Sequence, residues 1–305
     1  MTQNLSSREA QKTLTNLMTK FISLVAIRLP DDVLSALTRG SKIEDSPHVK
    51  LVYEAIFRNL DIAASRRIPL CQDTGVLQFF VYLGENFPYK RELLEALREA
   101  TIRATSEGFL RPNVVDPITN TNTGNNTGAR IPWIEIELLP NTDHAEIQLY
   151  MAGGGSSRPG YARVLDPAVG LSGAIEFVLN VIAEYGPPAC PPLVVGVGIG
   201  PTVEIAALLS KKALLRTPLG SRNPNPRVAA LEEKLEEAIN ELGIGPQGLG
   251  GKVSVLATHI EYAGRHPSTI AVGVSTACWA LRKGWLRISK DLGYEVLSHR
   301  GVTLE

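Results

Sequence analysis

Pro69-Leu70-Cys71-Gln72-Asp73-Thr74-Gly75 stands directly before the apolar run Val76-Leu77-Gln78-Phe79-Phe80-Val81-Tyr82-Leu83. A run of this length, rich in Val and Phe, is typical of a buried strand. A thiol, an amide, a carboxylate and a hydroxyl therefore share one turn that leads into a rigid element. Such a turn can hold a metal ligand and a proton-transfer group close together. The alternative is an ordinary polar turn in which Cys71 is a small core hydrophobe.

The pattern of apolar and polar residues in the rest of the chain predicts an α+β fold. Ser6 and Glu9 have capping-box spacing ahead of an apolar face over residues 7–27. We expect an N-terminal helical bundle over residues 1–68, packed on a mixed α/β domain over residues 69–305 that carries the functional loops, the two forming one continuous unit. Further helices are predicted over residues 30–40, 47–64, 90–105, 171–185, 203–215 and 227–242. Strands are predicted over residues 253–261 and 269–276, and over residues 131–139 and 145–151 as an antiparallel pair. Residues 193–202 are predicted to form a strand, a glycine-rich turn and the start of a helix.

The charge and composition of the chain argue against some classes of binding partner being recognised by charge. The chain has 305 residues, with 31 basic and 31 acidic side chains and a formal net charge of zero. Capture of nucleic acid or of an anionic membrane surface by charge is therefore not expected. Met1–Leu5 lacks the basic and apolar regions of a secretory signal, and no apolar stretch approaches the ~20 residues of a membrane span. We expect a cytoplasmic protein.

The three cysteines, Cys71, Cys190 and Cys278, are far apart in the chain. An odd number outside the secretory route argues against a disulfide framework, and no Cys-x-x-Cys pair indicates an ordinary structural zinc site. Two interpretations remain open: three core thiols, or three ligands that the fold brings together. Prolines on both sides of Cys190 restrict its backbone, as a preorganised ligand loop requires.

Several loops carry groups suited to binding a carboxylate. Arg111 lies in the long polar loop 107–130, and a guanidinium binds a carboxylate through two parallel hydrogen bonds. Gly153, Gly154 and Gly155 follow a predicted strand and allow close approach of the backbone to a ligand. His266 lies on the connector whose following strand runs into Cys278, which favours a catalytic role over a purely structural one.

A second glycine series, Gly196-x-Gly198-x-Gly200, does not have the spacing of a dinucleotide-binding turn. We interpret it as a turn that caps a strand.

Three thiolates can hold a cubane [4Fe-4S] cluster by three of its four irons. The fourth iron is then a Lewis acid that can bind the hydroxyl and carboxylate of a 2-hydroxy acid. Elimination of water also needs a base for a carbon-bound proton and positive groups for the developing charge. Asp73, His266 and Arg111 are residues of the right kinds.

The motifs around these residues resemble those of the iron–sulfur hydro-lyases, the class I fumarases and L(+)-tartrate dehydratases. The resemblance runs over nearly the whole chain and is closest to tartrate dehydratase α subunits. It rests on Cys71-Gln72-Asp73-Thr74-Gly75, Gly153-Gly154-Gly155-Ser156, Ala189-Cys190-Pro191-Pro192, Gly220-Ser221-Arg222-Asn223-Pro224-Asn225-Pro226, Arg265-His266-Pro267 and Thr276-Ala277-Cys278-Trp279.

The resemblance implies a [4Fe-4S] cluster held by Cys71, Cys190 and Cys278, with one open iron. It implies Asp73 and His266 as catalytic residues, and substrate contacts from a second set: Gln72, Arg111, Gly153, Gly154 and Gly155. The reaction expected is dehydration of a 2-hydroxy dicarboxylate, either L(+)-tartrate to oxaloacetate or malate to fumarate. Ser156-Ser157 stands where tartrate dehydratases can carry a further Cys, which weakens the case for tartrate.

The family also implies a β portion that completes the active site, so we expect a β-subunit partner and an α2β2 assembly. A different class of function stays open beside the enzyme: a non-catalytic assembly or binding subunit whose thiols are structural.

Overall fold

The structure is a computed structural model that describes residues 5–304. Within that range about 42% of the chain is helical and 22% is in strands, which confirms the α+β class. The helices are α1 Ser7–Ile27, α2 Asp31–Ile43, α3 Pro47–Arg66, α4 Lys90–Ser106, α5 Gly170–Tyr185, α6 Val203–Leu215 and α7 Pro226–Glu241. The strands are β1 Val76–Gly84, β2 Trp133–Leu139, β3 Ala145–Ala152, β4 Tyr161–Leu165, β5 Leu193–Gly200, β6 Val255–Tyr262, β7 Ile270–Ala277, β8 Lys283–Ile288 and β9 Tyr294–Val296. The interpretation of the N-terminus as lacking a secretory signal concerns residues 1–4, which lie outside this range.

The chain folds into two compact units, each built from separate segments. The first unit takes the segment up to Asp31, Asn59–Gly153 and the segment from Arg282 onward. The second unit takes Asp32–Arg58 and Gly154–Leu281. Helix α1 belongs to the first unit, α2 from Asp32 onward belongs to the second, and α3 contributes to both. The domain boundary expected at residue 68 stays a prediction.

The first unit is a five-stranded sheet in the order β2-β1-β3-β8-β9. Helix α1 begins at the predicted capping box, in which the Ser6 hydroxyl accepts from the Glu9 amide and the Glu9 carboxylate accepts from the Ser6 amide. Helices α1 and α4 bury their apolar faces in one core with side chains from the central strands, among them Phe21, Leu97 and Phe79. The N-terminal helix is therefore part of a helix-on-sheet layer.

The predicted antiparallel pairing of the two strands after residue 130 is wrong, because β1 lies between them. Strand β2 pairs with β1 in parallel, and β3 pairs with the other edge of β1 in antiparallel orientation. Strand β1 is the more apolar of the three and is buried along most of its length, so the centre of the sheet is its favourable place. Instead of closing a hairpin, the turn after β2 bonds to the end of β1, where the Gly84 amide donates to the His144 carbonyl.

The second unit is a four-stranded sheet in the order β4-β7-β5-β6, covered by α6. The interpretation of the glycine series as a strand-capping turn is wrong, because Gly196, Gly198 and Gly200 lie inside β5. A Cβ atom at Gly198 would overlap the Ala206 carbonyl of α6, and one at Gly273 of β7 would lie 2.5 Å from the same oxygen. These glycines allow the helix backbone to lie directly on the sheet.

Helix α2 also departs from its predicted end. It continues past Gly40 to Ile43, although a glycine at this place is typical of a helix terminus. A Cβ atom on Gly40 would lie 2.7 Å from the Tyr53 hydroxyl, so tertiary packing explains this glycine.

One helical stretch among residues 5–304, Pro167–Tyr185, meets the length and composition of a membrane span. It has 19 residues with a mean hydropathy of 1.3, and the expectation that no apolar stretch approaches this length overlooked it. Length and composition alone are weak grounds for a span, because core helices of globular proteins can meet the same criteria. Here α5 contributes Ala174, Val178 and Ile182 to the core of the second unit.

We predict that Gly198→Ala destabilises the protein by about 1–3 kcal/mol or more, because the added methyl group must push α6 away from β5. Denaturant unfolding of the purified chain measures the effect. Gly264→Ala is the matched control, since a Cβ atom there has no neighbour within 4 Å and the backbone is not left-handed. Equal stability of the two variants would contradict the packing role of Gly198.

Candidate active site

The Cys71–Gly75 turn leads directly into the central strand of the first unit. Gly75 has φ +78°, and a Cβ atom there would lie 2.7 Å from the carbonyl carbon and oxygen of Ala152. The turn therefore packs on the end of β3, beside Gly153. Cys71 and Gln72 are exposed, Asp73 is half-buried and Thr74 is buried. The side chains of Cys71 and Gln72 are therefore at the surface, while Thr74 and Gly75 fix the turn on the sheet.

The loop that carries Arg111 is tied to this turn by hydrogen bonds. The Arg111 amide donates to the Thr74 hydroxyl at 3.0 Å, and that hydroxyl lies 3.4 Å from the Arg111 carbonyl. The Asn113 amide group lies 3.4 Å from Asp73 Oδ1 and 3.3 Å from the Gly75 carbonyl. The fold of the first unit therefore brings together Cys71, Gln72, Asp73, Arg111 and Gly153.

Asp73 is oriented by its own turn. Its Oδ1 atom accepts from the Gly75 amide at 2.9 Å, which is the side-chain-to-backbone contact of an Asx turn. With Asn113 on the same oxygen, the carboxylate is held in one direction. A carboxylate fixed in this way can accept a proton from a bound molecule or orient its hydroxyl.

Cys190 and Cys278 lie at the same end of the second unit's sheet. Cys190 precedes β5, Cys278 follows β7, and Val194 is the register partner of Ala277. The Trp279 amide donates to the Cys190 carbonyl at 3.3 Å, so the two loops are directly bonded. Cys190 is exposed, and its left-handed backbone, at φ 59° and ψ 58°, is a strained conformation for a residue with a side chain.

The glycine turn after β3 reaches the same strand end through Ser156. The buried Ser156 carbonyl accepts from the Thr276 hydroxyl at 2.5 Å, two residues before Cys278. Gly154 and Gly155 are exposed, and a Cβ atom on Gly155 would meet open space. Within the second unit, the fold therefore groups Gly154, Gly155, Cys190 and Cys278.

His266 is not part of that group. It lies on the connector between β6 and β7, whereas Cys278 follows the opposite end of β7. At roughly 3.3 Å per residue, the eight residues of β7 separate the two ends by about 23 Å. His266 is exposed and its Nδ1 atom accepts from the Ser268 amide at 3.2 Å. The catalytic role predicted for it stays a prediction.

The candidate donor set consists of three thiols, the ligand type that iron–sulfur clusters take. All three cysteines are thiols that form no disulfide, and each is exposed or half-exposed. Among residues 5–304 no group of three His, Cys, Asp or Glu side chains is close enough to bind one ion. A cubane differs from a single ion because each thiolate binds a different iron, so its ligands stand farther apart.

Two further residues, Asn113 and Thr74, position the Asp73 turn, although neither was predicted as a site residue. Their role depends on long-range hydrogen bonds, which no local pattern reveals. Apart from this turn, burial lowers the pKa of the Lys211 ammonium group on α6 to about 8.

The chain is similar to known proteins over most of its length. A model of the family described as fumarate hydratase (fumerase) matches residues 15–287. L(+)-tartrate dehydratase subunit alpha of Escherichia coli strain K12 is 47% identical over 294 residues, covering 96% of this chain and 97% of the relative. The putative L(+)-tartrate dehydratase subunit alpha of Methanocaldococcus jannaschii is 42% identical over 269 residues, covering 87% and 94%.

The family match spans most of the chain, and two relatives from distant organisms align over nearly their full lengths. The resemblance inferred from the sequence motifs is thereby confirmed, and this chain belongs to the fumarate hydratase (fumerase) family.

Proposed function

We propose that this chain is the α subunit of an iron–sulfur hydro-lyase that converts L(+)-tartrate to oxaloacetate and water. The observation that carries the proposal is the bonded pair of loops holding Cys190 and Cys278, in a chain that shares 47% of its residues with a tartrate dehydratase α subunit. Two thiols on rigid neighbouring loops suit a shared inorganic centre.

Cys71, Cys190 and Cys278 would hold a [4Fe-4S] cluster by three of its irons. When bound, such a cluster supplies a Lewis-acidic iron that polarises the hydroxyl to be lost. The exposure of Cys71 and Cys190, the partial exposure of Cys278 and the left-handed backbone of Cys190 support this assignment.

The remaining work falls to groups of this chain and of its partner. Arg111 binds a substrate carboxylate through its guanidinium, and the amides of Gly153, Gly154 and Gly155 stabilise negative charge on the bound molecule. Gln72 donates to a substrate oxygen. Asp73 moves a proton or orients the substrate hydroxyl, with Asn113 and the Gly75 amide holding its Oδ1 atom. A role of His266 in proton transfer rests on the family resemblance alone, because His266 and Cys278 lie at opposite ends of β7.

A partner completes the enzyme. The curated relatives carry the name subunit alpha, which supports a second kind of subunit for this chain as well. We propose a β subunit that supplies further basic and hydroxyl groups, in an α2β2 assembly located in the cytoplasm.

A second candidate reaction is the interconversion of malate and fumarate. The family description, fumarate hydratase, favours it, and so does Ser156-Ser157 in place of a further cysteine. A third candidate, a non-catalytic assembly subunit, requires structural thiols, and the exposure of Cys71 and Cys190 does not favour it.

We predict that the anaerobically reconstituted α and β pair turns over L(+)-tartrate with a higher kcat/KM than malate. Oxaloacetate formation and fumarate formation are measured on the same preparation. A higher kcat/KM for malate would assign the chain to the fumarases.

We predict that Cys190→Ser abolishes cluster binding while the chain stays folded. The serine hydroxyl is a poor ligand for iron, whereas a core thiol tolerates this change with modest loss. Iron and sulfide content, visible absorption and melting temperature are measured together. Wild-type activity and absorption in the variant would contradict a ligand role and favour the assembly subunit.

We predict that Asp73→Asn lowers kcat by about 10²–10⁴-fold with little change in KM, because the amide keeps the turn but cannot accept a proton. The pH dependence of kcat should lose one limb. Asp143→Asn, on an exposed turn, is the control and should behave as wild type. A loss confined to KM would show that Asp73 only binds substrate.

A further inference from the structure

Arg282 carries a buried guanidinium group that the proposed mechanism does not use. The residue is 2% exposed and stands immediately before β8. Its Nε and Nη1 atoms are inaccessible to solvent and have no hydrogen-bond partner among residues 5–304. By contrast, Arg287 on the same strand is half-exposed and pairs with Glu146 at 2.8 Å.

The sheet register shows which face Arg282 occupies. Its carbonyl accepts from the Met151 amide, and the next residue, Lys283, is the register partner of Tyr150. Gly284, two residues on, lies against Val25 and Phe21 of α1. Because side chains alternate along a strand, Arg282 lies on the same face as Gly284, the face covered by α1.

The same end of the sheet carries the Cys71 turn. Helix α1 runs alongside α4, and both end where β1 begins. The Leu70 amide donates to the Ala26 carbonyl, so the segment Leu70-Cys71 lies against the last turn of α1. Arg282 therefore stands at the corner of the first unit where the end of α1, the Cys71 turn and the ends of β3 and β8 meet.

A buried guanidinium that lacks a counter-charge is strongly unfavourable, since burial removes its hydration and nothing replaces it. Arginine keeps its proton in proteins, so it cannot escape this by becoming neutral. An anion at this corner would offset the charge beside the two unsatisfied nitrogens, Nε and Nη1. Near-complete burial favours a resident group, installed once, over a substrate that exchanges at every turnover.

We propose that Arg282 is the buried counter-cation of the anionic cluster–thiolate centre that Cys71 helps to hold, and that it donates N–H bonds to sulfur. This inference rests on the proposed function. Hydrogen bonds and positive charge near a cluster raise its reduction potential and help to retain it. Arg282 is thus a positioning and tuning residue, distinct from the groups that contact substrate.

The test uses the full chain produced with its partner subunit and loaded anaerobically with iron and sulfide. Arg282→Met removes the charge at similar length, Arg282→Lys keeps the charge, and Arg287→Met is the matched control on the same strand. The readouts are the melting temperature before loading, the midpoint potential of the cluster, and the rate of iron loss to a chelator.

We expect Arg282→Met to melt no lower than wild type before loading, because it removes an unpaired charge. After loading, its potential should fall and its iron affinity should weaken by about 10–100-fold. Arg282→Lys should retain part of the effect, and Arg287→Met should match wild type in cluster properties.

Three results would overturn the proposal. A large fall in melting temperature of unloaded Arg282→Met would show a structural partner within the chain. Stabilisation of unloaded wild type, but not of Arg282→Met, by L(+)-tartrate would show that the guanidinium holds a substrate carboxylate. A loaded Arg282→Met with wild-type potential and iron retention would refute this inference alone, whereas absence of a cluster in wild type would refute the proposed function as well.

Discussion

The first unit depends on the burial of β1 between two neighbours that hydrogen-bond to both of its edges. The Cys71 turn takes its place from that strand, because the register with β3 leaves it against Ala152 with no room for a side chain at Gly75. A reactive turn attached to a central strand has little freedom to move. The rigidity that Asp73 needs for its role is therefore a consequence of sheet packing more than of the turn itself.

The second unit reaches the same result by another route. Glycines on β5 and β7 let α6 lie directly on the sheet, and the antiparallel pairing of those two strands places the Cys190 and Cys278 loops side by side. The amide of Trp279 then closes one loop onto the other. In both units, exposed and chemically reactive side chains lie on loops next to buried apolar strands, as expected when a rigid scaffold positions functional loops.

Buried charge has a different meaning in the two units. In the second, Glu232 is fully buried but accepts from the Asn223 and Ile260 amides at 2.8 and 2.7 Å, which explains how the polar segment before α7 is held. In the first, the two guanidinium nitrogens of Arg282 have no such partners among residues 5–304. A satisfied buried carboxylate has a structural explanation, whereas the unsatisfied nitrogens of Arg282 call for another one, which the proposed cluster would supply.

Local patterns in the sequence were sufficient for most of the helices, for the type of fold and for the family. The capping box of α1, the apolar run of β1 and the proline-bounded Cys190 depend on neighbours in the chain, and short motifs around the cysteines carried the family assignment. Contacts between distant residues decided the rest. Only the tertiary structure showed that β1 separates β2 from β3, that the glycines of β5 lie under a helix, and that Arg282 is buried. Strand order and burial are set by which apolar surfaces meet, and the pattern along a single strand does not contain that information.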